Sequence, residues 1–164
     1  MAARNSIIRS ISFILIMLLL CPFASGRIIY VDDDAAGVNV GSSWDDAINS
    51  LQDALLLAYF YEKPVEIRVA GGIYTPDKGI GIAVGDREAS FQLIDGVTIK
   101  GGYAGLSHRS PEDLRDIALY ETILSGDLEK DDGPESTGTD DNSHHVVTSF
   151  RTDQTAVLDG VTIS

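Results

Sequence analysis

Cysteine is all but missing. The 164-residue chain has one, Cys21, and it lies in the N-terminal segment. Disulfides therefore cannot hold the body of the protein together. Positive charge is also scarce, with 12 Lys and Arg against 25 Asp and Glu and a net charge of −13. Such a surface repels phosphate backbones and anionic lipid headgroups, which argues against nucleic acid as a partner. There is one long apolar run, residues 11–21, about half the ~20 residues that cross a bilayer as a helix. The chemistry-bearing motifs G-x-S-x-G and H-E-x-x-H are absent, as is any cysteine nucleophile beyond that run.

The apolar run is nevertheless informative. Arg4 and Arg9 precede it and Ala24-Ser25-Gly26 follows it, the order of a secretory signal peptide spanning 1–26. Leu20, where a lipobox has a small residue, argues against lipidation at Cys21. The expectation is export, secreted or to the cell surface. Cleavage leaves 27–164, a single domain with no transmembrane span and a net charge of −15.

Within that domain the chain repeats itself. Leu93-Ile94-Asp95-Gly96-Val97-Thr98-Ile99 returns as Val157-Leu158-Asp159-Gly160-Val161-Thr162-Ile163, 64 positions later, with Thr122-Ile123-Leu124-Ser125-Gly126-Asp127 a looser echo between them. Each copy is a short β-branched run broken by a turn. Such strands cannot bury an apolar face alone, and stacked copies can. Strands are expected at 28–31, 65–69, 73–75, 91–93, 97–100, 146–147 and 156–158, and loops at 77–88 and 127–142. Ser110-Pro111-Glu112-Asp113 resembles a short helical start.

One segment carries a helical period. Trp44, Ala47, Ile48, Leu51, Ala54, Leu55 and Ala58 recur at spacings of three and four. With Ser43 as N-cap, they predict a helix of about four turns over 43–60, ending before Pro64. Its apolar stripe is expected to cap the open end of the strand stack. Gln52 falls on the polar side, where substitution is expected to matter little.

The order of blocks resembles a known family. Gly41-Ser42-Ser43-Trp44 with Leu51-Gln52-Asp53-Ala54-Leu55 comes first, then Ile67-Arg68-Val69-Ala70-Gly71-Gly72-Ile73-Tyr74-Thr75-Pro76. Gly101-Gly102-Tyr103-Ala104-Gly105, the Thr122–Asp127 echo, His145-Val146-Val147 and the final repeat follow. The chain is similar to the N-terminal part of secreted bacterial right-handed parallel β-helix proteins of the pectin-lyase-like superfamily, of the polymorphic outer-membrane-protein-like or choice-of-anchor type. The resemblance implies an all-β right-handed parallel β-helix with an N-terminal amphipathic cap, about four coils being present and further coils lying beyond Ser164. It implies a secreted or cell-surface module, structural, adhesive or glycan-binding, whose partners are polysaccharide or a surface protein. The alternative is the N-terminal portion of a polysaccharide lyase or glycoside hydrolase with its catalytic coils past residue 164.

Candidate sites within the chain are few. Asp127, Glu129, Asp131 and Asp132 cluster in an acidic loop and are the candidate calcium ligands, although the EF-hand spacing is absent. Asp32-Asp33-Asp34 reads as a cap or turn. His144-His145 cannot grip one ion on a straight strand, and Gly79-x-Gly81-x-x-x-Gly85 reads as a turn. Glu66 and Arg68, two apart, share a strand face. That spacing fits salt-bridging across a surface at least as well as catalysis.

Overall fold

A computed structural model describes residues 26–107 and 113–164. Strands dominate. They are β1 (Arg27–Val31), β2 (Val65–Ala70), β3 (Gly72–Tyr74), β4 (Phe91–Gln92), β5 (Val97–Tyr103), β6 (Thr122–Leu124), β7 (Val147–Thr148), β8 (Val157–Asp159) and β9 (Thr162–Ile163). The helix α1 covers Leu51–Phe60, and short 3-10 turns lie at Gly105–Ser107 and Pro134–Ser136. The signal-peptide segment falls outside the described residues but for Gly26. So does most of the expected helical start at Ser110-Pro111-Glu112-Asp113; Asp113 itself has φ 69°, which is not helical.

All strand pairs are parallel and form three sheets, β1-β2-β5-β8, β3-β6-β9 and β4-β7. From β2 onward the chain visits the four-stranded, three-stranded and two-stranded sheets in that order, then repeats. Side chains alternate across each strand. Ile29, Ile67, Ile99 and Leu158 lie in register across the four-stranded sheet. The first three are fully buried in a core that also holds Phe91 and Leu124. Each is worth roughly 1.5–3 kcal/mol as an upper bound. The opposite faces of the same strands put Tyr30, Arg68, Lys100 and Asp159 in a second rung.

The helix is shorter than its period predicts. Ser50, not Ser43, is the N-cap, its Oγ accepting from the Asp53 N–H. Ser43 caps only a turn, accepting from the Asp46 N–H at 3.2 Å. The reason lies in β1. Ile48 N–H donates to Tyr30 O at 2.9 Å and Asp32 N–H donates to Ile48 O at 3.0 Å, so residues near Ile48 satisfy the edge of β1 instead of continuing a helix. The Leu51, Ala54, Leu55 and Ala58 stripe is buried and packs on β1, β2 and β4. Gln52 is no spectator. Its Nε2 donates to Pro76 O at 2.8 Å and Ser90 O at 3.0 Å, tying down both ends of the 77–88 loop.

The repeated phrase is not the structural repeat. Val97-Thr98-Ile99 sits in the four-stranded sheet, but Thr162-Ile163 sits in the three-stranded one, paired with Ile123 and Leu124. Thr98 instead pairs with Val157 and Ile99 with Leu158. The two copies share a corner, not a register: Gly96 and Gly160 both have φ of 70°, a conformation that favours glycine. The same turn chemistry is used before β5 and after β8.

Candidate functional site

The outward rung of the four-stranded sheet gathers a set of ion-paired and aromatic side chains. Alternation turns Glu66 and Arg68 to the same face, and Arg68 Nε meets Glu66 Oε1 at 2.7 Å. Register brings Lys100 beside them from β5, its Nζ 2.6 Å from Glu66 Oε2. Asp113 closes over Arg68 Nη1 at 2.6 Å. One strand further, Arg115 Nη2 meets Asp159 Oδ2 at 3.0 Å.

Three aromatic rings stand against this network. Trp44 lies edge-on to Tyr30 with centroids 4.9 Å apart and tilts over Tyr103 at 5.6 Å. The Arg68 guanidinium is 5.9 Å from the Tyr30 ring and 5.6 Å from that of Tyr103, which Arg115 also approaches at 5.7 Å. Trp44 Nε1 donates to Asp113 Oδ1 at 3.3 Å. Freed from the helix by the β1 edge, Trp44 thus joins the sheet face instead of the core stripe.

The charges are mutually satisfied. Burial alone would raise the Glu66 pKa, but the hydrogen bonds from Lys100 and Arg68 hold it below the ordinary range. Burial alone would lower that of Arg68, yet the bonds it donates to Asp113 and Glu66 push it up. Neither group is poised to exchange a proton near neutral pH. The surface can stack a ring and accept hydrogen bonds; it has no free acid, base or nucleophile among these residues.

The acidic loop assembles part of the expected calcium set. Asp127, Asp131 and Asp132 place carboxylate oxygens within 4.8 Å of one another. Glu129 is not among them; it contributes a backbone N–H that donates to Asp141 Oδ2 at 2.7 Å. Both oxygens of Asp127 already accept, from the Asp131 and Asp132 N–H groups at 3.1 Å each. Asn142 Nδ2 donates to Asp132 Oδ2 at 3.0 Å. Desolvation, then Asp141, Asp127 and Asp132, raise the Asp131 pKa. The loop is also anchored by Leu128, which is buried.

Other candidates stay apart. Asp32-Asp33-Asp34 forms the second close carboxylate group, and Asp32 is used structurally, accepting from the Asp34 and Leu106 N–H groups at 3.0 and 2.8 Å. His144 donates its N–H to Arg87 O and sits 3.6 Å from Glu88; neither it nor His145 belongs to a metal-ligand group among the described residues. No helix among these residues is long and apolar enough to cross a membrane.

Glu66 and Arg68 are legible in the sequence as a same-face pair, whereas Tyr30, Trp44, Lys100, Tyr103, Asp113 and Asp159 are not legible there as their neighbours. Period two marks Tyr30 and Lys100 as outward, but only the strand register places them together. Comparison with protein-family models, curated proteins and solved structures finds no match for this chain.

Proposed function

We propose that this chain is the N-terminal part of an exported right-handed parallel β-helix protein that presents a glycan-binding face. The recurring visit to three parallel sheets supports the β-helix reading. The charged n-region, apolar run and small residues before Arg27 support export. The observation that carries the binding reading is the half-buried pair Tyr30 and Trp44, backed by the buried Tyr103 and set among ion-paired side chains on one sheet face. Aromatic rings offer apolar faces to the C–H faces of a pyranose, and neighbouring carboxylates accept from its hydroxyls.

Trp44 is the single tryptophan, so its emission reports directly on this face. Titration with soluble oligosaccharides is expected to change that emission saturably, and Tyr30→Ala is expected to weaken the response. An unchanged emission across neutral and acidic glycans would reject the glycan reading.

A further inference from the structure

Building on the glycan reading, we propose that the Tyr30 and Trp44 face, backed by the buried Tyr103, takes an uncharged glycan and rejects polyuronates and other polyanions. Charge decides the selectivity. Among the described residues, three cations stand on this face, Arg68, Lys100 and Arg115, and three carboxylates, Glu66, Asp113 and Asp159. Each cation has a carboxylate oxygen within 3.0 Å. Among the described residues of this face none is left over to receive an anionic sugar, and the chain as a whole carries −13.

A uronate brought to the rings would have to displace Glu66, Asp113 or Asp159 from its cation, or lie against them. Either arrangement leaves like charges facing each other in a half-desolvated site. A neutral sugar meets no such obstacle. Its hydroxyls can donate to the carboxylates of Asp113 and Asp159, whose side chains are 40% and 49% exposed. The Trp44 N–H is already given to Asp113, so the indole offers its ring surface and not its donor.

The test compares two probes on the full chain by Trp44 emission and calorimetry, in chelator. Neutral cello- and galacto-oligosaccharides are expected to bind, and oligogalacturonate of equal length to bind about tenfold more weakly or not at all. Glu66→Gln leaves Lys100 without its carboxylate. That variant is expected to gain oligogalacturonate affinity that falls as salt rises. Asp159→Asn, which frees Arg115 at the sheet edge, tests the same gain should Glu66→Gln fold poorly. Oligogalacturonate binding the unaltered chain as tightly as the neutral sugars would overturn this inference and leave the glycan reading standing. Binding of neither probe would overturn both.

Discussion

Leu51 and Leu56 lie five residues apart in α1 and differ sharply in what surrounds them. Leu51 is 1% exposed and packs in the core cluster with Ile29, Val31 and Leu55. Leu56 is 47% exposed on the outer side of the helix. Truncating either to alanine removes the same three carbons, so the two variants differ chiefly in the packing they lose. At about 0.8 kcal/mol per buried carbon group, Leu51→Ala loses roughly 2.4 kcal/mol of transfer free energy. The cavity it leaves under β1 and β2 brings the total to about 3–4 kcal/mol. Leu56→Ala is expected to lose less than about 1 kcal/mol. Urea titrations followed by circular dichroism measure the difference, with the slope checked for constancy. Equal midpoint shifts for the two variants would mean that the helix does not close the core.

Gln52→Ala is expected to destabilise by about 1–3 kcal/mol through loss of its bonds to Pro76 O and Ser90 O, and hydrogen exchange should rise first in the 77–88 loop. Asp77 has a fully buried side chain that accepts from Thr75 Oγ1, the Gly85 N–H and Lys78. Burial alone would raise its pKa, but these three donors hold it below the ordinary value. The stability it contributes is present above about pH 4 and lost as pH falls through the lowered folded value. Asp77→Asn is therefore expected to flatten the acid limb of the urea midpoint below about pH 4; an unchanged limb would refute the assignment. Asp131→Asn removes like-charge repulsion with Asp141, Asp127 and Asp132, so in calcium-free buffer its melting temperature should rise. A calcium-dependent rise in the unaltered chain that this variant lacks would identify the loop as an ion site.

What the sequence determined by itself was local. Alternation at Val65-Glu66-Ile67-Arg68-Val69 and at Val97-Thr98-Ile99-Lys100 marked strands, because a strand's two faces meet different solvents whatever its partners. Asp95-Gly96 and Asp159-Gly160 marked corners, because positive φ is a property of a single residue. The stripe from Leu51 to Ala58 marked the helix body. Tertiary structure decided the rest. Where α1 begins depended on the open edge of β1, which recruits Ile48 and sends Trp44 to the sheet face. Which copies of the repeated phrase stack depended on register, and the true pairing of Thr98 with Val157 crosses the excursions between them. The candidate site followed from that register, since Tyr30, Arg68, Lys100 and Asp159 are scattered over 130 positions and share nothing but a rung. Spacing along a chain fixes the direction a side chain points; only hydrogen bonding between distant strands fixes which side chain it meets.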